Sequence, residues 1–304
     1  MKFIKRHIQR FKQLVVSQAK LSQSFDEIKI NQGLILSKLN ANKSSKNIKD
    51  YEFKVFSQWG EDGIIQHLID SVEIKNKTFI EFGVEDFFES NCRFLLMKDD
   101  WKGFVIDASK PHIQRLKNSY FYWRHNLNAV DEFITRDNIE DILYKSGFEE
   151  NLGILSIDLN GNDFYILEAI KNFTSCILIC EFNPVFGPNR KITIPYKADF
   201  NWTEEHHSNL YWGASLGAIS YLADKKGYAL VGTNTACNNA FYIKKDLLND
   251  KVDVLSVESA YSPSNYRESR DEKGRLSYVT ADERLEVIKG LPVYNVETES
   301  IELL

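Results

Sequence analysis

The chain has 304 residues, 43% of them apolar, 13% aromatic and 27% charged. That is enough to bury a core in one large domain or two modest ones, and it excludes wholesale disorder. With 38 Lys and Arg against 43 Asp and Glu, the net charge of −5 lacks the cationic field of a general nucleic-acid binder, so nucleic acid is not expected as a partner. The four cysteines, Cys92, Cys176, Cys180 and Cys237, form no CxxC pair. They read as reduced thiols of a cytoplasmic protein, not as zinc ligands or a disulfide framework.

Residues 1–40 carry no secretory pattern: Lys2, Lys5, Arg6, Arg10 and Lys12 are interleaved with Phe3, Ile4, Ile8 and Phe11. No stretch of the chain approaches the roughly 20 apolar residues of a bilayer-spanning helix. Ile4, Ile8, Phe11 and Val15 fall at offsets of four, three and four, the spacing of an amphipathic helix. Leu14, Leu21, Ile28 and Ile35 then recur every seven residues, with Phe25 and Leu39 offset by four. This coiled-coil-like seam leaves three roles open: packing on the chain's own domain, self-association into a homo-oligomer, or peripheral docking on the inner face of a membrane through basic residues. Residues 41–52 are polar and turn-rich and read as a linker.

Residues 53–250 switch to short apolar runs alternating with helical periodicity, the pattern of βαβ units on a mostly parallel sheet. Strands are predicted at Thr78–Phe82, Gly103–Ile106, Gly153–Ile157 and Cys176–Phe182, with a closing antiparallel pair at Tyr228–Val231 and Ala240–Ile243. Helices are predicted around Ile64–Ile69, Cys92–Met97 and Phe164–Ile170. Residues 251–304 are charged and less periodic and read as an extension packing on the domain, with residues 262–274 as exposed loop.

In an open parallel sheet, ligands bind where the carboxyl ends of the strands meet the loops. The first predicted strand ends in Glu81-Phe82-Gly83-Val84-Glu85, where a glycine permits close backbone approach and a carboxylate can accept hydrogen bonds. The second ends in Asp107, 24 residues after Gly83, a carboxylate suited to a ribose diol. A full GxGxxG is absent, which favours a nucleoside ligand without a diphosphate. The third ends in Asp158-Leu159-Asn160-Gly161-Asn162-Asp163, and the fourth in Glu181-Phe182-Asn183. Adjacent carboxyls of this kind raise one pKa unless a cation or donor lies between them. Asp158 and Glu181 therefore read either as a general base, with Asn183 beside them, or as a Mg²⁺ site. His207 is a further candidate base, with His206 next to it in a polar stretch. Asn160, Asn162, Asp163, His206, Tyr211 and Asn239 are candidates for lining an acceptor pocket.

Taken together, Phe56–Gly63 (FSQWGEDG), the EFGV stretch running to Glu89-Ser90-Asn91, the strand ending at Asp107, Leu155–Asp163 (LSIDLNGND) and Cys180–Pro188 (CEFNPVFGP) resemble the FkbM-type S-adenosylmethionine-dependent methyltransferases. The resemblance runs from about residue 53 to 245 and implies a class I methyltransferase fold: a seven-stranded, mostly parallel, Rossmann-like sheet with an antiparallel last strand. It implies S-adenosylmethionine as cofactor, with Gly83 under the methionine portion, Glu81 opening the glycine motif, Asn91 close by, and Asp107 holding the ribose hydroxyls. Ser57, Gln58, Glu61 and Asp62 would fold over the cofactor, although Ser57 with Glu61 also reads as a helix cap. Glu85-Asp86-Phe87 departs from the small, glycine-containing turn usual at that point. The implied activity is O-methylation of a sugar or glycan hydroxyl in bacterial surface polysaccharide or secondary-metabolite assembly. Two alternatives remain. One is methylation of a phosphate or phosphoramidate oxygen on a capsular glycan, for which Arg93, Arg190 and Lys191 are the candidate basic residues. The other is a non-catalytic scaffold whose helix is the working part.

Overall fold

The computed structural model describes residues 2–264, 268–280 and 282–304; within the first helix it describes the side chains from residue 20 onward, together with His7 and Ser17. The predicted apolar face of Ile4, Ile8, Phe11 and Val15 lies outside the described side chains.

The apolar runs form the sheet. Its strands are β1 (Thr78–Phe82), β2 (Lys102–Asp107), β3 (Leu127–Asp131), β4 (Asn151–Ile157), β5 (Thr174–Glu181), β6 (Tyr228–Thr233) and β7 (Asn239–Lys244). They lie side by side in the order β3-β2-β1-β4-β5-β7-β6. The pairs from β3 to β5 are parallel, whereas β7 runs antiparallel to both β5 and β6. This is the expected class I methyltransferase arrangement: a mostly parallel sheet closed by a reversed last strand. The connections are α2 (Glu61–Ser71), α3 (Arg93–Asp99), α4 (Lys110–Lys117), α5 (Ile139–Tyr144), α6 (Asp163–Ala169) and α7 (Leu216–Lys225), which follow the N-terminal α1 (Lys2–Asn40).

Because side chains alternate across a strand, each strand feeds two cores. Phe79, Val105, Ile177, Ile179, Phe241 and Ile243 join Ile64, Leu68 and Leu95 on one face. Ile80, Phe104, Ile106, Leu155, Leu178 and Tyr242 join Ile142, Ile166 and Ile219 on the other. The sheet is buried on both sides and leaves its carboxyl edge as the place for polar groups.

The C-terminal half of α1 packs on the domain. Ile30 and Leu36 lie against a cluster of Val55, Phe56 and Phe94, and Gly33 is so close that a Cβ there would sit 2.6 Å from Phe94 and Val55. Asp26 and Arg93 form a buried ion pair at 2.5 Å, to which the Tyr120 hydroxyl donates at 2.7 Å. The stretch expected as a linker is anchored too: Ile48 and Tyr51 are buried, and Asn40 Nδ2 donates to the Tyr51 carbonyl at 2.6 Å. Beyond β7 the chain packs back on the domain. Strands Pro292–Asn295 and Ser300–Leu303 form a small antiparallel sheet with Ile192–Thr193, and Ile288 and Val293 share a core with Val185, Ile194 and Leu210.

Candidate functional site

A cleft of about 950 Å³ runs along the carboxyl ends of β2, β1, β4 and β5 and the start of β7. Among the described residues, eight carboxyl side chains line it, against Arg284 and His112. Such a lining repels anions and favours cationic or hydrogen-bond-donating ligands.

At one end are the tips of β1 and β2. Gly83 has φ +69, and a Cβ there would lie 1.8 Å from the Asp158 carbonyl oxygen. The glycine is thus required by the neighbouring strand end, a reason different from ligand approach, even though Gly83 lines the cleft. Glu81 is buried and points sideways: its carboxylate accepts from the Asn91 N–H (2.8 Å), the Ser90 hydroxyl (2.7 Å) and the Cys92 N–H (3.1 Å). Burial raises its pKa against those donors. It fixes the loop that carries Asn91, whose Nδ2 donates to Ser156 Oγ at 3.2 Å. Between them, Glu85 and Phe87 occupy the left-handed region at φ 49° and 60°, a conformation that L side chains rarely adopt. Asp107 accepts the Glu85 N–H on one oxygen and the Ser109 N–H on the other, at 2.8 and 2.7 Å, and each oxygen keeps a further lone pair; the side chain lines the cleft beside His112, whose Nδ1 is 3.9 Å from Oδ1.

At the other end, Asp158 and Glu181 are hydrogen-bonded to each other. Burial, then the charge of Asp163, pushes the Asp158 carboxyl up to about 7. Burial, then the negative Asp158, raises Glu181 well above the carboxylate range. The two raised carboxyls share a hydrogen bond and titrate as a unit. Three buried acceptor atoms on this wall have no partner: Glu181 Oε2, Asn239 Oδ1 and Asn162 Oδ1. Asn239 sits directly across from Glu181 in the β5–β7 register. Asn160, held at φ 52°, is exposed at the rim.

Several predicted residues do not reach the cleft. Glu61 is buried beneath it, with one oxygen accepting from the N–H groups of Trp59 and Gly60 and the other from the amides of Asn234 and Asn239. Asp62 receives the N–H groups of Val55, Phe56 and Ser57 and the Ser57 hydroxyl, all between 2.7 and 2.8 Å, while burial pushes it up to about 6. These two carboxylates shape the loop that presents Gln58 and Trp59 to the cleft, and Gly60, not Ser57, precedes the first residue of α2. Asp163 folds back on the N–H groups of Leu159 and Gly161. Asn183 is tied to the carbonyls of Leu210 and Trp212. Tyr211 donates to the Pro292 carbonyl, His206 pairs with Ser208 Oγ, and His207 is exposed beside His206. None of these seven lines the cleft, so of the candidate bases it is Asp158, not His207, that reaches it.

The Mg²⁺ expectation is not supported. Among the described residues no three His, Cys, Asp or Glu side chains form a ligand set, and Asp158 and Glu181 are spent on each other. The basic residues weighed for an anionic acceptor are also elsewhere: Arg93 is buried against Asp26, Arg190 pairs with Glu302, and Lys191 pairs with Glu297. Conversely, Glu132 and Phe133 line the cleft beyond Asp107, although the strand leading to them had no clear signal. Trp59, Phe200, Trp202 and Trp212 supply aromatic walls.

No protein-family model matches this chain, and no curated protein matches it significantly. Among solved structures it is similar to the methyltransferase PaMTH1 of Podospora anserina, solved with SAH bound, at 12% identity and TM-score 0.38, over 59% of this chain and 76% of that one. An S-adenosylmethionine-dependent methyltransferase from Clostridium acetobutylicum is 8% identical with TM-score 0.38, over 67% and 92%. A SAM-dependent methyltransferase from Aquifex aeolicus is 10% identical with TM-score 0.32, over 70% and 98%. These likenesses are distant, and the chemistry of the site rests on its own geometry.

Proposed function

We propose that this chain is an S-adenosylmethionine-dependent O-methyltransferase acting on a hydroxyl of a sugar or glycan precursor, the activity implied by the FkbM-type sequence motifs. The observation that supports it most is one cleft carrying Asp107 at one end and the proton-sharing Asp158–Glu181 pair at the other.

The residues suit the cofactor by their chemistry. Asp107 offers two unfilled lone pairs to a diol, Phe133 offers a flat apolar face beyond it, and the acidic lining suits a ligand bearing a sulfonium and an ammonium. When bound, S-adenosylmethionine supplies an electrophilic methyl carbon. The remaining work falls to the chain. Asp158, poised near neutrality, accepts the proton of the acceptor hydroxyl, and Glu181 holds Asp158 in place through the hydrogen bond they share. The unpartnered oxygens of Asn162 and Asn239 accept from neighbouring hydroxyls and orient the ring. Acceptor-only groups reward a donor-rich polyol and penalise a phosphate, so the neutral sugar is favoured over the phosphate or phosphoramidate oxygen.

Calorimetry with S-adenosylhomocysteine and transfer of a labelled methyl group to a sugar-nucleotide panel test the reading. Micromolar binding is expected for the native chain and a loss of at least tenfold for Asp107→Ala. For Asp158→Asn, retained binding with transfer reduced about 10²–10⁴-fold is expected. Folded protein that binds no cofactor would leave the scaffold reading in its place.

A further inference from the structure

The far side of α1 belongs to no site described above. Its domain-facing line is Asp26, Ile30, Gly33 and Ser37. About half a turn away, Leu21, Phe25, Ile28, Ile35 and Leu39 remain 56–61% exposed. With Gln32 they follow offsets of four and three, the two core columns of a heptad repeat, and the helix carries the same columns back through Gln18, Leu14 and Phe11. A residue at each of nine successive core positions between Phe11 and Leu39 spans about 42 Å of helix.

We propose that this stripe pairs with the same stripe of a second copy as a parallel, in-register coiled coil. Three features select that occupant. The stripe is narrow: Ser24 and Asn31 border it and Gln32 interrupts it, the width of a helix–helix seam and unlike the broad apolar face that lies in a lipid surface. The polar layer at Gln32 matches itself, because in parallel register Gln32 meets Gln32, each amide both donating and accepting. In the antiparallel arrangement that opposes Phe25 with Ile28, Gln32 would face Leu21 and leave its amide unpaired. The area suffices as well. Each of the five exposed side chains offers on the order of 100 Å², so the described half alone brings about 1,000 Å² to the pair, the area that a specific interface needs. Each domain sits on the outer side of its helix, clear of the seam.

Sedimentation equilibrium on the full chain at micromolar concentration should give twice the 35.2 kDa chain mass. Ile28→Glu combined with Ile35→Glu, both at exposed positions, should return the mass to that of one chain with an unchanged circular dichroism spectrum. All four native cysteines are buried, so Gln32→Cys should give an oxidised covalent dimer, since facing core positions of a parallel pair lie within disulfide reach. A native chain that sediments as one copy, whether or not it floats with anionic lipid vesicles, overturns the proposal. A dimer that survives the double substitution, or one that Gln32→Cys fails to cross-link, overturns it too.

Discussion

Replacing Asp158 with Asn should stabilise the protein while disabling it. In the folded chain, burial and the nearby Asp163 push this carboxyl from its ordinary 3.8 to about 7. A carboxyl raised in this way favours folding only below its unfolded pKa. Stability falls steadily as pH rises from about 4, because the unfolded chain ionises freely while the folded one must stay protonated, and it levels off above about 7. The total loss is about 4 kcal/mol at pH 8 and under 2 kcal/mol at pH 5. Asparagine carries no charge at either pH and can still share a hydrogen bond with Glu181, so it recovers most of that loss. For a chain of this length about 2 °C accompanies each kcal/mol. Differential scanning fluorimetry should therefore show Asp158→Asn melting about 5–10 °C above the native protein at pH 8, and only about 3 °C above it at pH 5. A gain that is absent, or equal at both pH values, would refute the claim that this carboxylate is held at an energetic cost for its chemistry.

The same raised pair predicts that methyl transfer climbs with pH through about 7 as Asp158 loses its proton, and that in Glu181→Leu this limb moves to higher pH because the hydrogen bond from Glu181 that lowers Asp158 is lost; a pH series of initial rates checks both. Gly83→Ala places a Cβ 1.8 Å from the Asp158 carbonyl at φ +69, so a loss of about 3 kcal/mol or more in urea unfolding is expected. Asp26→Ala leaves Arg93 buried without its partner and should release the C-terminal half of α1 at a cost of about 3–5 kcal/mol, read as faster amide exchange in residues 20–40. Combining Asp26→Leu with Arg93→Met should recover most of that loss, since a buried pair replaced by apolar side chains costs little.

Most of the sheet was legible because its strands are buried on both faces and read as uninterrupted apolar runs. TFIEF is the clearest case, and its predicted bounds are those observed. LNAVD was not legible: β3 lies at the sheet edge with Asn128 and Asp131 exposed, so its apolar content is too thin to register. Missing it concealed Glu132 and Phe133. The short helices KPHIQRLK and IEDILY bury only two and three residues apiece, and periodicity has little to act on. Within the site, Asp107, Asp158 and Glu181 were readable because strand ends in a parallel sheet open onto its ligand edge. Glu61 and Asp62 were not, because their direction is decided by unpaired N–H groups in the preceding loop, which are visible only once the loop is folded. Asn183 shows the same limit: it lies two residues beyond Glu181, yet its side chain is claimed by the carbonyls of Leu210 and Trp212.

Some departures from good packing lie at the ligand edge of the sheet. Left-handed backbone at Glu85, Phe87 and Asn160 costs about 1–2 kcal/mol apiece, and each unpartnered buried acceptor at Glu181, Asn162 and Asn239 costs about 1–3 kcal/mol. All six lie at the carboxyl edge of β1, β4 and β5, although other left-handed residues, such as Asp100, Cys237 and Glu299, and other unpartnered buried atoms, such as Thr78 Oγ1 and Ser119 Oγ, lie elsewhere. A purely structural domain would gain by replacing these residues with glycine or with apolar side chains. Retaining them makes physical sense if something donates hydrogen bonds to the three oxygens when it binds, because the penalty then becomes part of the affinity and discriminates against any molecule that lacks the donors. The unpartnered acceptors of this edge suit an occupant that donates hydrogen bonds, and the acidic wall around them suits one that carries hydroxyls or positive charge.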